Sequence, residues 1–219
     1  MTDEIIAGLP LPVRLALSYA PARSRPLFLG FFALDSRLAG MIRQGKEPIL
    51  AQMRLAWWRE TLEKEPAARP SAEPLLEILA DWRGEEQALA GLAEGWEILL
   101  AEPPLSEQQI MRFGQARGSA VAALARLSGQ PGHAEPAARA GLLWAMADLA
   151  GGVTEPAERE IALSIARGAA HAPAKLPRAL RPLSVLAGLA RRSVARGGAP
   201  MLDGAATGLL AMRLGILGR

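Results

Sequence analysis

Residues 25–43 read R-P-L-F-L-G-F-F-A-L-D-S-R-L-A-G-M-I-R. The pattern predicts one helix over this stretch, and it holds a single acid, Asp35. Residues four apart lie on one face of a helix, so Asp35, Ala39 and Arg43 fall on the same side. A carboxylate there is followed by a methyl group and then by a guanidinium. A divalent cation needs several oxygen donors. One carboxylate is too few for a metal cluster, and Arg43 repels a metal ion.

Composition extends the helical reading outward from this segment. Ala and Leu dominate a chain of 219 residues, only 5% of which are aromatic, and Val and Ile are sparse. Such a sequence favours helices over strands. The length suits one well-cored domain spanning 1–219. No cysteine is present, which removes disulfides and thiolate metal sites, and His133 and His171 are too few for a multi-histidine centre. The start Met1-Thr2-Asp3-Glu4 is acidic and lacks the basic opening of a signal peptide. No uncharged apolar run reaches the ~18 residues of a membrane span. The expectation is a cytoplasmic protein, with peripheral attachment at the inner face of a membrane as a further option.

Charge is unevenly spread. The formal net charge is +3, yet Lys175, Arg178, Arg181, Arg191, Arg192, Arg196, Arg213 and Arg219 follow Arg167 with one acid, Asp203, among them. That basic third suits anionic headgroups or an acidic partner as well as ordinary solvated helix faces. Nucleic acid is not expected, because no aromatic interleaving and no recognisable binding module accompany the cations.

Punctuation divides the chain into a string of helices. Pro10-Leu11-Pro12 precedes a short one through Tyr19; Glu47-Pro48 opens another, which Pro66 closes; Ser71 and Pro74 start a fourth. A further helix begins near Glu85 and stops before Pro103-Pro104. Ser106 and Gln109 form a capping box ahead of a long helix to Leu127. The turn 129–133 leads to Glu135-Pro136 and the helix carrying Asp148. Gly151-Gly152 then end that helix and Thr154-Glu155-Pro156 begin the next. Beyond Ala170 the pattern is broken by Pro173, Pro177, Pro182, Gly197-Gly198 and Pro200.

The helix after Pro48 contains adjacent tryptophans. Neighbouring residues on a helix sit about 100° apart. Trp57 therefore joins Leu50 and Met53, while Trp58 joins Leu55 and Leu62. This apolar arc predicts burial on two sides. Arg54 and Arg59 either reach a cavity or pair with nearby acids such as Glu60.

Four segments, taken in order, resemble the squalene/phytoene synthase family. The first is residues 25–43, similar to R-x-A-I-x-A-L-Y-A-F-C-R-x-x-D-D-x-x-D: Arg25 matches the leading Arg and Phe32-Ala33-Leu34 match Y-A-F. Ser36 stands at the second Arg, the Asp-Asp pair falls on Ala39-Gly40, and the last Asp on Arg43. The second is R-L-A-W-W-R at 54–59. It resembles a divergent branch of the family that includes a mitochondrial complex I assembly factor with a phytoene-synthase-like domain. The third is the small-residue helix 113–124, where Phe113 and Gly118 fit Y-x-x-x-x-A-G-x-x-G. The fourth is 141–156, which lies on G-R-A-F-Q-L-T-N-I-L-R-D-x-x-E-D with Asp148 at the Asn, Glu155 at the Glu, and Gly152 and Pro156 at the two Asp positions. Leu176-Pro177 is similar to a later Leu-Pro. The resemblance is clearest over 15–156.

That resemblance implies an all-α isoprenoid-synthase-like bundle of antiparallel helices around a central apolar cavity. It also implies chemistry on prenyl diphosphates held through Mg²⁺ by paired acids. Most of those acids are replaced here. The expectation is a non-catalytic relative that binds a lipid or isoprenoid, or serves the assembly of a membrane complex, with no cofactor. Asp35, Asp148 and Glu155 are the candidate catalytic or metal-binding acids. Arg25, Phe32, Arg54, Trp57 and Gly118 are the candidate substrate-binding positions. Two alternatives stand beside this: an active prenyl diphosphate transferase, which would need Mg²⁺, and a helical scaffold with a filled core. Phe32, Trp57, Trp58 and Met146 are the residues whose packing bears on the last.

Overall fold

The computed structural model describes residues 2–44, 47–171 and 175–218; Pro173 and Arg219, named above among the breakers and cations, lie outside them. Among the described residues there are eleven α-helices and no strand. They are α1 (Thr2–Gly8), α2 (Leu11–Ser18), α3 (Arg25–Gln44), α4 (Pro48–Glu63), α5 (Pro74–Ile78), α6 (Glu86–Ile98), α7 (Glu107–Leu127), α8 (Ala134–Gly152), α9 (Pro156–Ala170), α10 (Arg181–Ala195) and α11 (Ala205–Leu217). The all-α expectation holds.

The ends of these helices follow local chemistry. Ser106 and Gln109 close the capping box of α7 from both sides. Pro48, Pro74 and Pro156 each open a helix, where a missing N–H costs nothing. Pro182 does the same for α10, so a residue that broke the sequence pattern instead starts an element. Gly197 and Gly198 take φ of 67° and 82°, a left-handed conformation that costs glycine little, and turn the chain away from α10.

α7 and α8 form the spine. α6 and α9 flank it, α4 packs outside α6, and α10 lies against α8 with α11 and α2 on it. Two glycines set the α7–α8 spacing. A Cβ on Gly118 would stand 2.9 Å from the Ala138 carbonyl oxygen, and one on Gly141 would stand 3.0 Å from Val121. The backbones approach too closely for any larger residue.

The centre is filled with rings. Phe28, Phe31, Phe32, Trp82 and Trp144 are all buried. Phe31 and Phe32 have centroids 5.5 Å apart, and Phe32 meets Trp144 edge-on at 5.9 Å. Met146 is buried beside them. The Trp82 indole N–H donates to the Leu27 carbonyl at 3.2 Å, so its polar atom is satisfied inside the core.

One packing expectation needs correction. α4 is buried on one side, not two. Trp58, Leu55 and Leu62 face the core, but Met53 is 64% exposed and Trp57 40%, with Leu50 and Ile49 exposed beside them. The packing of α4 on α6 and α3 covers the Trp58 face and leaves the Trp57 face in solvent.

Candidate functional site

Four helices converge on one side chain that the sequence reading passed over. Arg117, on α7, is 1% exposed. Its Nε and Nη2 donate to the two oxygens of Asp35, on α3, at 3.1 and 3.0 Å. Its Nη1 donates to Asp148 Oδ2, on α8, at 3.1 Å. The Trp96 indole N–H, from α6, donates to Asp35 Oδ1 at 2.9 Å. The guanidinium carbon lies 4.3 Å from the Trp144 ring centroid, 5.0 Å from Trp96 and 5.2 Å from Phe113. A cation is thus held between two carboxylates inside an aromatic cage.

Electrostatics explain why a buried arginine persists. Burial alone lowers the tendency of Arg117 to hold its proton, but Asp35 and Asp148 more than reverse this and keep it charged. Burial pushes the Asp35 carboxyl above the usual carboxylate range, while Arg117 and the Trp96 N–H pull against that rise. Asp148 is 34% exposed and keeps one edge in contact with solvent.

Asp148 also borders a small cavity of about 180 Å³ between the ends of α3 and α8. Ala39 and Arg43 line it from one side and Gly152 from the other. The two segments compared above with acid-bearing motifs meet around this cavity through Ala39, Arg43 and Gly152. Glu158 is the other acid in this lining; it is buried and accepts the Leu105 backbone N–H at 2.7 Å.

Asp35 and Asp148 come together, bridged by Arg117. Glu155 does not join them: α8 stops at Gly152, and Glu155 is an exposed residue immediately before α9. Among the described residues no group of three His, Asp or Glu is arranged to hold a metal. Mg²⁺ requires near-octahedral oxygen donors. Here both oxygens of Asp35 and one of Asp148 already accept from a fixed cation, which would repel an entering ion. The residues present do not fit a magnesium ion.

Of the candidate substrate positions, Arg25, Phe32 and Gly118 make contacts within the fold. Arg25 donates to the Leu17 carbonyl at 2.9 Å and ties α3 to the end of α2. Phe32 is core, and Gly118 is consumed by the α7–α8 approach. Trp57 and Arg54 lie on the exposed face of α4, while Arg59 pairs with Glu97 at 2.8 Å.

The signal for Arg117 was its setting. A charge between Phe113, Gly114, Ala120 and Val121, all buried, is a lone cation on an apolar helix face, and such a cation must find carboxylates. No family model, no curated protein and no solved structure matches the chain. Among the described residues no helix is long and apolar enough to cross a membrane.

Proposed function

We propose that this is a non-catalytic relative of the squalene/phytoene synthases, with an isoprenoid-synthase-like bundle whose catalytic centre has become a structural ion pair. On this reading it works by binding an amphiphilic lipid, or a partner in assembling a membrane complex, and turns nothing over. The observation that carries it is Arg117 bonded to both Asp35 and Asp148, which occupies the two candidate acids that meet in the fold, one helical turn before Ala39 and Gly152. The ring contacts of Phe31 and Phe32 with Trp144 at the centre speak against a prenyl chain there, and they favour a second reading, a helical scaffold with a filled core. The meeting of Ala39 and Arg43 with Gly152 around one cavity agrees with the alignment of the two acid-poor segments.

The test is incubation with farnesyl or geranylgeranyl diphosphate and Mg²⁺. The expected result is no diphosphate release above background, whether or not the prenyl diphosphate binds elsewhere on the chain. Release of diphosphate that is abolished by Asp35→Ala would overturn the reading.

A further inference from the structure

A second concentration of positive charge lies away from Arg117. α8, α9, α10 and α11 enclose a cleft of about 480 Å³, within the size range of small-molecule sites. Its floor is apolar, with Leu143, Leu176 and Leu214 all buried. Arg139, Lys175, Arg191, Arg192 and Arg213 line it, and no acid does so among the described residues. Arg139 pairs with Glu135 through Nη1. The other four have no ion-pair partner among the described residues.

A second observation points into the same place. Three buried polar atoms without a hydrogen-bond partner belong to residues of this lining: Ser184 Oγ, Arg139 Nε and Arg192 Nε. Buried donors are normally satisfied, and these three atoms have no partner within the chain. Two guanidinium groups and a hydroxyl suit a phosphate or carboxylate, and the leucine floor suits a hydrocarbon chain.

We propose that this cleft binds an anionic amphiphile, a phosphate or carboxylate head on a single hydrocarbon chain. Arg139, Arg192 and Ser184 take the head, and Leu143, Leu176 and Leu214 the chain. The proposal gives the ligand-binding reading above its site and ligand class, and for its biological role it rests on that reading. The ligand reaches the cleft either as a free monomer or from a membrane surface. The second route has support from α11, whose outer Leu209, Met212 and Ile216 are exposed next to the cleft residues Leu210 and Arg213.

The experiment uses the full chain and oleoyl lysophosphatidic acid below its micellar concentration, followed by calorimetry and melting temperature. One molecule is expected to bind per chain and raise the melting temperature, whereas oleoyl lysophosphatidylcholine and inorganic phosphate do neither. Arg192→Glu and the cleft-filling Ala187→Trp are each expected to weaken binding at least about tenfold, the loss of one charge-assisted contact or of the chain's space. Arg213→Glu, at an exposed position, decides the matter if Ala187→Trp fails to fold. Cosedimentation with phosphatidic acid vesicles, but not with pure phosphatidylcholine, assigns the source as a membrane; its absence alongside monomer binding assigns it as free ligand.

Failure of the monomer to bind, or binding undiminished in the folded variants, would overturn the cleft assignment. Undiminished binding leaves the non-catalytic reading standing. Diphosphate turnover with intact Arg192-dependent binding would remove that reading and keep the cleft.

Discussion

Arg117 and Asp35, 82 positions apart in sequence, meet through two hydrogen bonds of 3.1 and 3.0 Å at the junction of α3 and α7. The pair forms across helices: Arg37 of α3 is paired with Glu73, and the acid of α7, Glu107, sits in its first turn. The pair is closed by Asp148 and walled by Trp96, Phe113 and Trp144.

Removing the cation should therefore be costly. Arg117→Met leaves Asp35 ionised or protonated in a site that then offers it only the Trp96 N–H. A loss of about 3–5 kcal/mol is expected, the usual cost of breaking a buried pair from one side. Arg117→Lys should recover little, since an ammonium ion lacks the fork that engages both carboxylates. Urea denaturation midpoints measure both.

Replacing the whole trio should cost much less. Arg117→Met with Asp35→Leu and Asp148→Asn removes the uncompensated charges together, and such swaps are often close to neutral. The triple variant is expected to be more stable than Arg117→Met alone by about 2 kcal/mol or more. A triple variant as weak as the single one would mean that the cage depends on the guanidinium for its shape.

Gly118→Ala tests the α7–α8 approach. Its Cβ would lie 2.9 Å from a backbone oxygen that cannot swing aside. A destabilisation of about 1–3 kcal/mol is expected, or roughly 2–4 °C in melting temperature per kcal/mol for a chain of this size.

The two tryptophans of α4 should behave oppositely. Trp58→Ala empties a core position and is expected to cost about 3–5 kcal/mol. Trp57→Ala, on the open face, should stay within about 1 kcal/mol. Equal losses would show that the Trp57 face is covered in solution, and light scattering would then reveal by what.

Acid titration should expose the Glu85–Arg126 pair. Hydrogen bonding from Arg126 holds the Glu85 carboxyl below its usual range. A lowered folded-state value gives stability that is present above the unfolded value, about 4.5, and lost as pH falls through the depressed one. Glu85→Gln should flatten the stability profile below about pH 4.5, by a fraction of a kcal/mol for a surface pair.

Much of the fold was legible because its signals are local. The capping box at Ser106 and Gln109, the proline openings at Pro48 and Pro156, and the Gly151-Gly152 stop each act within one helical turn, and each appears where expected. α10 and α11 were obscured by prolines and glycines that proved to start or separate helices. Asp35 stood out as the only acid of its segment, and Asp148 through the resemblance of 141–156 to an acidic motif. Arg117 did not: its apolar setting on α7 says that it needs carboxylates, but not that they come from α3 and α8. The Trp57 side of α4 misled for a related reason: apolar periodicity marks a face for burial but does not say whether this chain supplies the cover.

The fixed charge at Arg117 also bears on how many ways the bundle can assemble. Sliding α7 by one helical turn would carry the guanidinium about 5.4 Å along the axis, out of reach of Asp35 and Asp148. The close fit of Gly118 against Ala138 already disfavours such a slip, and a stranded cation adds to its cost. The arginine acts as a registration pin beside that close fit, raising the energy of near-miss alignments.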